Sequence, residues 1–293
     1  MPLKTSKIDA ATTLTLEWAL HVQNFKLTLD KTRCVGCQIC SLACPKEAIK
    51  TVKQPKLASG KAQKANVDVD LAKCNFCGIC DVTCPFGAIK IELNGKHSLG
   101  IIEKDSFPQI IRDISTDETR LTPEMLEQKD VCPLNLIHLS SQQQGGKPRV
   151  TIDIDYCPCC GICETRLPKV IHVRKFSNGK ISINPHKCPV GCRDCVDVCP
   201  ITGTLYFSND DGKLHINESS CVYCGACKTV CPREDALELK RISILHTPVR
   251  SGAWNKALER LTSSVEMSKE LKTKGSMRAI ESVKKRVGSK ETD

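Results

Sequence analysis

Residues 157–168 read Cys157-Pro-Cys-Cys160-Gly-Ile-Cys163-Glu-Thr-Arg-Leu167-Pro168, and residues 74–85 read Cys74-Asn-Phe-Cys77-Gly-Ile-Cys80-Asp-Val-Thr-Cys84-Pro85. Superposed, Cys157, Cys160 and Cys163 fall on Cys74, Cys77 and Cys80, while Leu167 falls on Cys84 and Pro168 on Pro85. The first stretch is a copy of the second that keeps three cysteines and lacks the fourth. Working outward, the full pattern recurs at Cys34, Cys37, Cys40, Cys44-Pro45 and at Cys221, Cys224, Cys227, Cys231-Pro232. It recurs again at Cys188, Cys192, Cys195, Cys199-Pro200, with one extra residue before Cys192. Self-similarity of this kind outranks local propensity as a guide to the fold.

Each copy follows a short alternating segment that predicts a strand: Phe25 to Asp30, Val67 to Asp70, Val150 to Asp155, Ile181 to Asn184 and Leu214 to Asn217. A short helix is expected near the third cysteine of each run. The proline then turns the chain into an apolar pair such as Ala48-Ile49 or Ala88-Ile89. The expected unit is strand, cysteine loop, helix, repeated along an α+β chain.

The 293 residues include 21 cysteines but only 6 Phe, 3 Tyr and 2 Trp. So few large aromatics favour small lobes stapled by metal centres, whose ligand bonds replace missing buried area. A secreted disulfide scaffold would need a signal peptide, and residues 1–30 hold no apolar run of that kind. Tight Cys-x-x-Cys spacing instead aims the thiols of one loop at one centre, which points to a reducing, cytoplasmic compartment. No 18-residue apolar run is present, so no membrane insertion is expected. The formal charge of +10 could suggest nucleic acid. A four-thiolate iron–sulfur cubane carries about −2 when oxidised, so five of them would offset that excess, and no nucleic-acid partner is expected.

The runs resemble the bacterial ferredoxin pattern Cys-x2-Cys-x2-Cys-x3-Cys-Pro, in which the fourth cysteine ligates the other cluster of a two-cluster domain. The resemblance implies one [4Fe–4S] cluster on Cys34, Cys37, Cys40 and Cys84, and a second on Cys74, Cys77, Cys80 and Cys44. It implies a third on Cys188, Cys192, Cys195 and Cys231, and a fourth on Cys221, Cys224, Cys227 and Cys199. Structural zinc is the competing use of these sixteen thiols, but zinc sites rarely use interlocked runs ending in Pro. Between the two pairs, Cys132-Pro133 stands alone. Aligned on Cys84-Pro85, its three upstream ligand positions fall on Thr122, Met125 and Gln128. The crossing rule then leaves one complete set, Cys157, Cys160, Cys163 and Cys132, and removes one complete set. The alternative is an ordinary buried thiol at Cys132 and a three-iron cluster on the other three. The expected total is five [4Fe–4S] clusters. Cys159 is left over, aligned with Phe76, as a small packing residue, with a redox-active thiol the alternative. His186 is expected to be a loop residue because the thiolate count is complete. Gly191 is expected to absorb the extra residue of its run, with an altered potential there as the sharper possibility.

The expected organisation is a leader (1–24), a dicluster ferredoxin-like domain (25–97), a degenerate domain with one cluster (98–178), a second dicluster domain (179–240) and a basic tail (241–293). The tail holds twelve Lys and Arg against six Asp and Glu. It is expected to form an extended arm over 242–251 and then two helical pieces. Trp254, Leu258, Leu261 and Val265 lie at helical spacing. With too few apolar residues for a core of its own, it is expected to dock on an acidic or apolar partner. All five sites are closed by four thiolates, and neither a dinucleotide fingerprint nor a phosphate loop is present, so no catalytic residue is expected.

Across about 30–240 the chain is similar to polyferredoxins. It most resembles the polyferredoxin subunit of archaeal formylmethanofuran dehydrogenase, through Cys34-Val-Gly-Cys37-Gln-Ile-Cys40, Ala43-Cys44-Pro45-Lys46-Glu47-Ala48-Ile49 and Ser251-Gly-Ala-Trp254. The resemblance implies low-potential electron delivery to a molybdenum- or tungsten-pterin subunit in carbon dioxide reduction and methanogenesis. Soluble ferredoxin or another redox protein would exchange electrons with it. This chain has fewer runs than the longer members, which implies a shortened relay. A free soluble carrier, or a relay subunit of a hydrogenase or heterodisulfide reductase-type complex, is the alternative.

Overall fold

The computed structural model describes residues 3–128, 130–140, 148–210, 212–233 and 235–262. In chain order, the first part holds β1 (Lys4–Asp9), β2 (Thr13–Ala19), β3 (Asn24–Asp30), α1 (Ile39–Ala43), β4 (Ile49–Val52), β5 (Asn66–Val69), α2 (Ile79–Thr83) and β6 (Ile89–Leu93). Next come α3 (Gly100–Glu103), β7 (Asp113–Thr116), α4 (Pro123–Leu126), β8 (Ile137–Ser140), β9 (Arg149–Ile152), α5 (Ile162–Arg166) and β10 (Ile171–Arg174). The last part holds β11 (Ser177–Ile183), α6 (Asp194–Asp197), β12 (Leu205–Phe207), β13 (Leu214–Ile216), α7 (Ala226–Val230), β14 (Leu237–Ile244) and α8 (Gly252–Leu261).

One antiparallel pairing scheme recurs three times. An outer pair, β3 with β6, brackets an inner pair, β4 with β5. β7 with β10 brackets β8 with β9, and β11 with β14 brackets β12 with β13. Period-two alternation sets which side chains go inside: Leu27 and Leu29 are buried and register with Ile91 and Ile89. The helices between strands are one turn long. Five of them, α1, α2, α5, α6 and α7, begin just after the second cysteine of a loop and are stopped before the fourth cysteine position and its proline.

Residues 1–24, expected to be a leader, instead carry a hairpin. β1 pairs with β2, and β2 pairs with β3, so the first sheet is four-stranded in the order β1-β2-β3-β6. Leu14 and Leu16 are fully buried, and Trp18 packs on Phe76 with ring centroids 5.2 Å apart.

The tail also departs from expectation. β14 runs on to Ile244, paired with Ser177, so the arm expected from 242 starts later. Helix α8 is capped by Ser251, whose hydroxyl accepts from the Trp254 N–H at 3.2 Å. Its buried face, Trp254, Ala257, Leu258 and Leu261, packs with Ile39, Ala43 and Ile79 of the first part and with Phe107 after α3. The described part of the tail is thus packed within the chain. Val265, Gly275 and the second helical piece lie outside the described residues.

Candidate metal centres

The cysteine loops share a backbone signature. The residue before the second cysteine has positive φ: Gly36 (66°), Phe76 (53°), Cys159 (52°) and Tyr223 (51°). The residue after the second cysteine does too: Gln38 (64°), Gly78 (86°), Gly161 (79°) and Gly225 (93°). Such alternation turns successive N–H groups toward one concave side, the kind of nest that favours anions and iron–sulfur groups. The N–H groups of Cys159 and Tyr223 donate to Cys157 Sγ and Cys221 Sγ, each at 3.4 Å. The extra residue at 188–192 breaks the signature. Gly191 takes the left-handed conformation (72°), Arg193 returns to negative φ (−119°), and Val190 is fully exposed.

The sequence-predicted thiols lie near one another, several of them beside the partners that the crossing rule expects. Burial, followed by nearby sulfurs, pushes most of these thiols up. Cys84 acts in this way on Cys34, Cys37 and Cys40, and Cys44 acts on Cys74, Cys77 and Cys80. Cys231 acts on Cys188 and Cys195, the latter pushed up to about 12. Cys192 lies beside that same pair. Cys199, also pushed up to about 12, sits with Cys221, Cys224 and Cys227. In the middle part, Cys132 acts on Cys160 (up to about 11) and Cys163 (up to about 12), each raised first by burial. Cys157 alone goes down, to about 7, because the Cys159 side chain is hydrogen-bonded to it.

Cys132 also shares the main-chain turn of the fourth cysteines. The carbonyl of Cys132 accepts from the N–H three residues on (Asn135, 3.1 Å), as those of Cys44 and Cys84 accept from Glu47 and Gly87 (both 3.4 Å), whereas its sulfur accepts from two residues on (Leu134, 3.4 Å) and theirs from four residues on (Ala48 and Ala88). Asn135 repeats the positive φ of Glu47 and Gly87 at the same offset. In the set without cysteines, Thr122 and Gln128 are exposed, while the other two positions are apolar and packed. Leu167 is fully buried with Leu121, Val131, Val170 and Ile171, and Met125 packs against them.

These residues fit [4Fe–4S] groups. Cys34, Cys37, Cys40 and Cys84 line one enclosed hollow with Val67, Phe86 and Ile89. Cys199, Cys221, Cys224 and Cys227 line another with Ile181, Leu205 and Leu239. Among the described residues, no three His, Cys, Asp or Glu side chains close up to the spacing of a single ion.

The sets are also neighbours of one another. Cys80 acts on Cys40, Cys224 on Cys37, and Cys195 on Cys227. Two arginines brace these junctions. Arg112 donates from Nε to the carbonyl of Cys157 (3.0 Å) and from Nη2 to that of Cys84 (3.1 Å). Buried Arg241 donates to the carbonyls of Tyr223 and Cys224 at 2.8 and 2.6 Å. Neither arginine was singled out from the sequence, where a lone Arg carries no sign of burial.

Residues 26–88 and 180–232 each match a family described as a 4Fe-4S dicluster domain. The chain therefore contains two 4Fe–4S dicluster ferredoxin domains. A polyferredoxin-like subunit of aliphatic sulfonate oxidoreductase from Pyrococcus furiosus is 33% identical over 94 residues, which cover 28% of this chain and 53% of that protein. A tetrathionate reductase subunit from Archaeoglobus fulgidus is 26% identical over 130 residues, covering 37% and 61%. The chain thus spans little more than half the length of these relatives. Among solved structures, a chain of the formate dehydrogenase–heterodisulfide reductase–formylmethanofuran dehydrogenase complex from Methanospirillum hungatei superposes with a TM-score of 0.76. It is 29% identical, and the match covers 89% of this chain and 92% of that one. No helix among the described residues is long and apolar enough to cross a membrane.

Proposed function

We propose that this chain is an electron-relay subunit of an oxidoreductase complex, holding five [4Fe–4S] clusters on the five crossed cysteine sets. The observation that carries this is the shared packing of the sets: Cys40, Cys80 and Cys224 lie in one core with Cys37 against it, and Cys195 and Cys227 lie in another. When bound, each cluster exchanges one electron with little atomic movement. The chain's own part is to hold the thiolates, to donate main-chain N–H groups to sulfur and to keep water from the apolar hollows. These are the levers that set cluster potentials. With four thiolates closing each set, no coordination position is left for a substrate, so the chemistry belongs to a partner.

The partner favoured is a molybdenum- or tungsten-pterin subunit of formylmethanofuran dehydrogenase type, in the cytoplasm. The similarity over nearly the whole length to a chain of a complex of that name supports it. The same similarity favours a second reading, a relay within a heterodisulfide reductase-type complex. Anaerobic purification from the native source, with subunit identification and iron counting, tests both. A co-eluting pterin subunit and about 20 iron atoms per chain are expected from five four-iron sites. Elution of the chain alone with that iron would make it a free carrier and end the subunit reading.

A further inference from the structure

Arg241 is the one buried Lys or Arg among the described residues, at 7% exposure. Its Nε donates to the Tyr223 carbonyl at 2.8 Å, Nη2 to the Cys224 carbonyl at 2.6 Å and Nη1 to the Leu261 carbonyl at 3.4 Å. All three acceptors are neutral. The thiols that bear on its charge are those of Cys37, Cys224, Cys227 and Cys221, which belong to two different sets. Gly225 makes room for it: a Cβ there would stand 3.1 Å from Arg241 Nη2 and 3.5 Å from the Cys37 carbonyl. A guanidinium does not lose its proton in a protein, so this is a fixed charge, and burial keeps water from screening it.

Reduction adds one negative charge to a cluster. A fixed buried cation at the boundary of two sites favours that added charge on either side. We propose that Arg241 is a positioning residue that raises the reduction potentials of the clusters on Cys34/Cys37/Cys40/Cys84 and on Cys199/Cys221/Cys224/Cys227. The junction between the first and last dicluster domains then holds electrons more readily than the outer sites. The inference rests on the proposed assignment of clusters to these sets.

The test uses full-length protein purified anaerobically as wild type, Arg241→Gln and Arg241→Lys, with iron counted and potentials read by EPR-monitored redox titration. In Arg241→Gln, full iron is expected, with two potentials lowered so that reduction at each is about tenfold less favourable, about 59 mV for one electron. Arg241→Lys keeps a charge on a stem that reaches fewer of the carbonyls, so a smaller fall at the same two sites is expected. Full iron with unchanged potentials in Arg241→Gln overturns the proposal. If only Arg241→Lys retains full iron, it decides: lowered potentials support the proposal and unchanged ones overturn it. Iron loss from both variants also overturns it, leaving Arg241 as a bracket that holds the loop to α8. Wild-type protein without four-iron clusters would instead fail the assignment on which the inference rests.

Discussion

Cys132 and Leu167 carry the middle part of the chain between them. Leu167 stands where the other runs have a fourth cysteine and is fully buried among Leu121, Val131, Val170 and Ile171. Cys132 has no run in front of it, yet the main-chain turn after it, closed by Asn135 with positive φ, repeats the turns after Cys44 and Cys84, and its sulfur lies beside Cys160 and Cys163. On the crossed assignment, one site keeps all four thiols and the other keeps none, with Leu167 and Met125 in apolar packing and Thr122 and Gln128 exposed. Cys132→Ser is then expected to lose one cluster, or convert it to a three-iron form, and leave the other four. Iron analysis with EPR checks this, and an unchanged iron count and spectrum would end the crossed assignment. The two dicluster regions were legible because ligand spacing is written in the sequence, and residues 26–88 and 180–232 match such domains. Cys159 was legible only in part. It stands in the positive-φ place of Phe76 and Tyr223, as the alignment suggested, but its side-chain contact with Cys157 depends on three-dimensional geometry. Arg112 and Arg241 were not legible, since their carbonyl partners lie on loops distant in sequence.

Helix α8 shows what spacing does and does not say about an element. Trp254, Ala257, Leu258 and Leu261 fall on one side of a helix, as their separations require. Spacing does not say which surface they cover, and here it is α1 and α2 of the first part, more than 170 residues away in sequence. Trp254 is fully buried, meets Phe107 edge-on with centroids 5.3 Å apart, and donates from its indole N–H to His246 Nε2 at 3.2 Å. Arg260 adds a bond to the Cys44 carbonyl at 3.2 Å. Truncating a buried Trp costs about 3–5 kcal/mol. Trp254→Ala is expected to lower the stability of the iron-loaded protein by about that much, read as a lower denaturation midpoint. An unmoved midpoint would mean that α8 contributes nothing to the fold. The hairpin of β1 and β2 was missed for a different reason. Thr13-Leu-Thr-Leu16-Glu-Trp18 alternates as well as Phe25 to Asp30 does. No cysteine run follows it directly, so the pattern that organised the rest of the chain did not point to it.

The whole molecule consists of one four-stranded sheet and, among the described residues, five two-stranded ones. A lone two-stranded pair is marginal in water and needs a packed face to persist. Here the faces pack on cysteine loops: Cys40, Cys80, Cys84, Cys160 and Cys224 are part of the largest core, and Cys195, Cys221 and Cys227 are part of another. Burial raises the thiols of Cys37, Cys40, Cys80 and Cys227 well above their ordinary value. Loading iron must therefore displace protons from them, and ligand bonds formed at that cost are folding energy. Stripping the iron by oxidation and chelation is expected to abolish the cooperative thermal transition of the dicluster regions. Hydrogen exchange should show protection surviving longest in β1, β2, β3 and β6, where Leu14, Leu16, Leu27, Leu29, Ile89 and Ile91 are buried without needing a metal. The two-stranded sheets around Cys188 to Cys231 should lose protection first, because the loop at Cys188 is exposed on both sides of its sulfur. Iron-free protein that kept the same circular dichroism and the same unfolding transition would show that side-chain packing, and not the metal centres, holds these thin sheets together.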